Sequence, residues 1–186
     1  MSRLTDGSTI TPVRILTVDP PPVELEELLE RRREAGADKY DEIWNGVLHM
    51  APMAHSRHAD IQAQLLELLG PRARAVGLAP RGPVNIGAAD DFRVPDGVLR
   101  RPDADAVFLA TAALAFEVIS PGDETWDKLP FYAAHGVDEL LIVDPETQRL
   151  DWLGLRDGDY EPIQGSGLID LRPEQLSQLI DWPRLD

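Results

Sequence analysis

The sequence predicts a single α/β domain built on a mixed sheet, and three observations point to it. Its 186 residues are 43% apolar, one ordinary domain's worth of chain and enough to bury roughly 70% of the unfolded surface. Apolar residues recur at helical spacing in two early stretches, and after Gly82 the pattern changes to short strands separated by turns. A strand, a helix and a strand then follow one another between Leu114 and Val143, a crossover unit that demands a parallel pair.

The elements follow in order. Residues 1–22 hold Pro12, Pro20, Pro21 and Pro22 without periodicity and read as an extended arm, leaving 23–186 as the domain. Leu25, Leu28 and Leu29 at helical spacing, with Glu24, Glu26 and Glu27 in the first turn, predict a helix over 23–34 that ends near Gly36. Tyr40 to Met50 reads as a hairpin turning at Asn45-Gly46 and closed by Pro52. His55 to Val76 reads as a second helix with Ile61, Leu65, Leu66, Leu68 and Leu69 inward, broken or kinked at Pro71. Strands are expected at 84–86, 92–94, 98–99, 106–109 and 114–119. After the Ser120-Pro121-Gly122-Asp123 turn, a helix is expected from Glu124 to His135, stopped by Gly136. Leu140 to Val143 is apolar throughout and suits a central strand buried on both faces. A hairpin across Asp157-Gly158 and a short helix from Pro173 to Ile180 complete the chain.

Composition removes whole classes of function. There is no cysteine, which excludes disulfide scaffolds, thiol nucleophiles and Cys-based zinc or iron-sulfur sites and suits a reducing cytoplasm, the expected location. No apolar run, Ala112 to Phe116 among them, is long enough to span a membrane. The formal charge is −15, unevenly spread: residues 117–186 hold 16 acids against 5 bases, whereas 55–101 hold 7 bases against 5 acids. Only that middle segment, with Arg57, Arg72, Arg74, Arg81, Arg93, Arg100 and Arg101, offers a basic face to a polyanion.

Three residues carry candidate chemistry. Asp96, in Val94-Pro95-Asp96-Gly97, lies at a strand boundary; its bland reading is a turn aspartate bonded to its own backbone. Glu117 interrupts a β-branched, aromatic strand, where a carboxylate is costly unless paired, protonated or metal-bound; its bland reading is a wet edge strand. Lys128 falls in the first turn of the next helix, and its bland reading is ordinary surface lysine. If the Asp96 and Glu117 strands are neighbours, two carboxylates and one ammonium converge at strand ends where open α/β sheets bind ligands. Two hard oxygen ligands suit Mg²⁺, which activates water, and an ammonium stabilises the growing negative charge.

Pro95-Asp96, Phe116-Glu117-Val118-Ile119-Ser120-Pro121, Lys128 with Phe131-Tyr132-Ala133 and Gly136-Val137, and Leu141-Ile142-Val143-Asp144-Pro145 resemble the Uma-two family of bacterial proteins. The likeness runs from about Tyr40 to Leu155 and includes Asn45-Gly46, Pro52 and His58. That family belongs to the restriction endonuclease-like PD-(D/E)XK nucleases, so the resemblance implies a mixed sheet core flanked by helices over 23–186. It further implies Asp96 and Glu117 as metal ligands, with the Val118 or Ile119 carbonyl as a further one, and Mg²⁺ or Mn²⁺ as the ion. The lysine expected two residues after the second acid is Ile119 here, and Lys128 takes its role. Glu42 resembles an additional acid from an earlier element, its alternative being an exposed strand glutamate, and His58 matches a family position.

His55 and His58, spaced i, i+3, could share a face, although a lone histidine pair is weak ground for zinc. Trp44, Trp126 and Tyr132 read as core or rim packing. The expected function is a Mg²⁺-dependent DNA endonuclease using Asp96, Glu117, Lys128, Glu42 and His58, reaching DNA through residues 57–101 and pairing as a homodimer. The alternative is a non-catalytic protein-interaction module that keeps the nuclease fold. A zinc hydrolase built on His55 and His58 is the third reading.

Overall fold

The computed structural model describes residues 13–15, 22–51, 55–102, 106–122 and 124–183. Pro52, Asp123 and the rest of the expected arm before Pro22 lie outside the described residues. Within that arm, β1 (Val13–Ile15) pairs antiparallel with β3. The helix α1 (Val23–Glu34) has the expected bounds. The hairpin of β2 (Glu42–Trp44) and β3 (Val47–Met50) turns through Asn45 and Gly46, both at positive φ, as an Asn-Gly turn of mirror-image type requires. Helix α2 (Ser56–Ala75) runs unbroken through Pro71. The residue before it is Gly70, whose missing Cβ removes much of the clash that bars helix ahead of proline, and buried Ile61, Leu65, Leu69 and Ala73 hold both halves to the core.

The expected single sheet is two. One six-stranded sheet has the order β1-β3-β2-β6-β5-β8, with β5 (Asn85–Ala88), β6 (Asp91–Arg93) and β8 (Phe108–Leu109). The other has the order β12-β11-β10-β9-β7-β4, with β4 (Ala79–Arg81), β7 (Gly97–Arg100), β9 (Leu114–Val118), β10 (Glu139–Asp144), β11 (Arg149–Arg156) and β12 (Asp159–Pro162). β4 carries Pro80 and escapes a pattern search, because a proline strand is tolerated only at an edge, where β4 lies. β9 and β10 form the expected parallel pair. Their connection is a 3-10 turn, Thr125–Lys128, and the helix α3 (Leu129–Ala134), not one continuous helix; Pro130 opens α3 where no intrahelical N–H is needed. The helix α4 (Pro173–Ser177) is shorter than expected.

β10 is apolar throughout because both of its faces are covered. Leu141 and Val143 join Leu114, Phe116 and Val118 of β9 against α2 and α4, while Leu140 and Ile142 join Ala115 against Phe131 and Tyr132 of α3. The period of two along β9 therefore turns Glu117, like Ala115, toward α3. Among the described residues, no helix is long and apolar enough to cross a membrane.

Candidate functional site

Asp96 lies where the chain leaves one sheet for the other. β6 ends at Arg93, β7 begins at Gly97, and Pro95 between them has no N–H to continue a ladder. β7 pairs antiparallel with β9, Gly97 opposite Phe116, so one step further Asp96 comes opposite Glu117. The close crossing needs glycine: a Cβ on Gly97 would sit 2.2 Å from the Phe116 ring. Asp96 Oδ2 accepts the Val118 N–H at 2.7 Å, and Oδ1 lies 2.8 Å from His58 Nε2. The carboxylate therefore bonds across the sheet and not to its own turn. His58 Nδ1 in turn lies 3.1 Å from Ser120 Oγ, and Gln62, one turn along α2, donates to the Asp96 carbonyl at 2.8 Å.

Glu117 is 5% exposed on an interior strand, which overturns the wet-edge alternative. Its Oε1 accepts from Lys128 Nζ at 3.2 Å and from the Tyr132 hydroxyl at 2.6 Å. Lys128 Nζ also lies 3.0 Å from Oε1 of Glu42. Glu42 is buried in β2 between β3 and β6, not exposed; Oε1 takes the Val94 N–H at 2.7 Å and Oε2 the Trp44 indole N–H at 2.6 Å. Burial pushes the Glu117 carboxyl up, Lys128 pulls it back, Asp96 and Glu42 raise it again, and the Tyr132 hydrogen bond lowers it, leaving it pushed up to about 7. Burial works to lower the Lys128 ammonium, but Glu117 and Glu42 outweigh it and hold it above the ordinary lysine value. Burial and the neighbouring carboxylates likewise raise the Tyr132 phenol, which stays a donor.

The structure thus brings together Asp96, Glu117, Lys128, Glu42 and His58. Val118, at the end of β9, turns its N–H to Asp96, and in extended backbone its carbonyl faces the same edge. His55 stays apart: it caps α2, accepting the Arg57 N–H on its ring, while His58 turns to Asp96 and Ser120, so no histidine pair forms for zinc. The arginines of 57–101 do not share one face either. Arg93 and Arg100 are buried, and Arg101 pairs with Asp138 at 2.6 Å. Trp126 is 50% exposed, so it lies at the surface and not in the core. Tyr132 is buried as expected, yet it serves Glu117 directly; its place four residues after Lys128, on the same helical face, was the available signal. Ser120 and Gln62 carried no signal, since their roles depend on α2 lying across the sheet end.

The donors present suit a hard divalent cation. They are carboxylate and main-chain oxygens without a soft ligand, and the buried Glu42 and Glu117 with the half-buried Asp96 outnumber the one ammonium. Both hydrogen bonds to Glu117 fall on Oε1. Lys128 stands between Glu42 and Glu117, and among the described residues no three acidic or histidine side chains close on one point. The set on offer is therefore Asp96, Glu117 and the Val118 carbonyl, which would leave water at the remaining positions.

The family model Uma2, described as "Putative restriction endonuclease", matches residues 24–180. The chain belongs to that family. No curated protein matches it. Its fold is similar to the crystal structure of a "putative nuclease belonging to DUF820" from Anabaena variabilis ATCC 29413, with a TM-score of 0.63 and 15% identity over 75% of this chain and 90% of that one.

Proposed function

We propose that this Uma2-family chain is a divalent-metal-dependent nuclease that hydrolyses phosphodiester bonds in DNA. Asp96, Glu117 and the Val118 carbonyl hold the ion, Mg²⁺ or Mn²⁺. The observation that carries the reading is the meeting of two carboxylates from paired strands with one half-buried ammonium, Lys128 lying 3.2 Å from Glu117. Such an ion, when bound, supplies a Lewis acid and a more acidic water. The chain's own residues do the rest. Lys128, held protonated, donates to the water or to the phosphoryl oxygen on which negative charge grows. Glu42 keeps the ammonium in place from the opposite side to Glu117. His58 fixes the rotation of Asp96, and Ser120 holds the far side of its ring.

For the polyanion, Arg57 and Arg81 are the favourable arginines. Arg57 precedes His58 in α2, and Arg81 pairs opposite Val98, two residues beyond Asp96. With a net charge of −15, unspecific duplex binding is weak, which favours a second copy of the chain contributing to the same substrate. Residues 23–186 act as one domain behind the arm, in the cytoplasm. Incubation of supercoiled and linear DNA with Mg²⁺ or Mn²⁺ tests the reading: nicking that is lost in Glu117→Ala supports it. Undiminished nicking by that variant, or no nicking together with no Mn²⁺ binding by calorimetry, rejects it in favour of the interaction module.

A further inference from the structure

Beside the carboxylates lies a ladder of flat groups that the proposed chemistry does not use. His49 stacks on Trp44 with centroids 4.1 Å apart and planes 13° from parallel. The Arg93 guanidinium lies 4.4 Å from the Trp44 centroid on one side and 4.0 Å from the Phe131 centroid on the other. Phe131 stacks on His135 at 3.9 Å. The ladder is built for closeness: a Cβ on Gly87 would come 2.8 Å from the Phe131 ring.

Arg93 is 4% exposed, and its placement is poor for packing alone. Its Nε is buried without a hydrogen-bond partner, which is costly, and an apolar side chain of similar length would fill the slot without that loss. Its Nη1 instead reaches the Ile43 carbonyl at 2.8 Å and Asp91 at 2.9 Å. Ile43 lies between Glu42 and Trp44, Val94 next to Arg93 donates to Glu42, and Phe131 precedes Tyr132. Besides its bonds to Asp91 and the Phe92 carbonyl, the guanidinium reaches Trp44, the carbonyl of Ile43 and Phe131, each of which touches Glu42 or lies next to a residue that touches Glu42 or Glu117.

We propose that Arg93 is a positioning residue, gripped between Trp44 and Phe131, which sets the indole N–H on Glu42 and aligns α3 so that Tyr132 and Lys128 meet Glu117. The inference rests on the nuclease reading for the purpose of the site, but not for its own test. The cation–π contacts on both faces favour a planar guanidinium over an ammonium. Lysine is thus no substitute, although it keeps the charge.

The test uses the full chain, free of metal and substrate, and reads the ¹⁵N–¹H resonance of the Trp44 indole, assigned by its loss in Trp44→Phe. In Arg93→Lys and Arg93→Met the resonance is expected to move upfield, toward that of an unbonded indole, and Mn²⁺ affinity to fall about tenfold, as for other groups that orient metal ligands. Phe131→Leu, which leaves Arg93 in place but removes one ring, is expected to give a smaller shift in the same direction and stands in should the Arg93 variants fail to fold. Unchanged resonances in folded Arg93→Met, or in Phe131→Leu where the former does not fold, overturn the inference. If the indole shifts as expected while the parent protein cuts no DNA, the positioning role stands and the nuclease reading alone falls. If the parent cuts DNA, Arg93→Lys is expected to lower kcat with KM unchanged; a raised KM at unchanged kcat counts against it.

Discussion

Two buried glutamates on neighbouring parallel strands have opposite surroundings. Glu139 opens β10 and is 6% exposed; Glu117 lies near the end of β9 and is 5% exposed. Glu139 accepts the Trp152 indole N–H at 3.0 Å and the Gly167 N–H at 2.9 Å, two neutral donors that tie β11 and the loop after β12 to the sheet. Glu117 faces an ammonium, a phenol and two further carboxylates. Burial alone therefore does not mark a site in this fold. Surplus like charge, gathered at the carboxyl end of a parallel strand, does.

The comparison can be broken by substitution. Lys128→Ala has the largest expected effect: it leaves Glu42 and Glu117 without their cation, at a cost of about 3–5 kcal/mol in stability, and lowers DNA cleavage by about 10²–10³-fold. Urea denaturation and single-turnover cleavage measure the two. Glu139→Gln should separate the halves of the molecule. It weakens the bonds to Trp152 and Gly167, with a loss of about 1–3 kcal/mol and an unchanged cleavage rate per folded molecule. A fall in rate matching that of Glu117→Gln would erase the distinction between the two acids.

pH sharpens the same contrast. In the metal-free protein the Glu117 carboxyl is raised from 4.5 to about 7, so between those values the folded chain holds a proton that the unfolded chain releases. Its contribution to stability is full below about 4.5 and is lost as pH rises through 7. Relative to Glu117→Gln, the parent protein should lose stability across that window, as denaturation at stepped pH will show. A flat difference would mean that burial and the acids around Glu117 do not raise it. The smallest effects are expected at the rim. Arg57→Ala and Arg81→Ala should each weaken DNA binding a few-fold and reduce the dependence of log affinity on log salt by about one, while Arg101→Ala, just past the opposite end of β7 from Asp96 and paired with Asp138, should do neither.

The carboxyl-end half of the site was legible because its parts are close in the chain. Asp96, Glu117 and Lys128 follow from two strands close in the chain, β7 and β9, that pair although β8 between them joins the other sheet, and from the crossover after β9. The first-sheet half was not. Glu42 reads equally as an exposed strand residue, since its burial comes from β6 returning beside β2 and from Lys128 arriving from the second sheet. Trp44 carries no local mark of its bond to Glu42. The division into two sheets is written only as Pro95, a residue that also serves ordinary turns, and the scatter of the arginines follows from burial of Arg93 and Arg100, which residue type argues against. Whether Trp126 lies in the core or at the rim is likewise not written locally; it is half exposed on a short 3-10 turn.

The strap from Val94 to Asp96 also bears on how the protein is made. The acids and the amine come from chain between residues 42 and 128, and β10, which pins β9 from the far side, follows later still. A ribosome that has delivered only residues up to the end of α2 has made Glu42 and His58 but none of Asp96, Glu117 and Lys128. The full set of acids and the amine can therefore meet only after residue 128 has been made and β9 has found its place between β7 and β10.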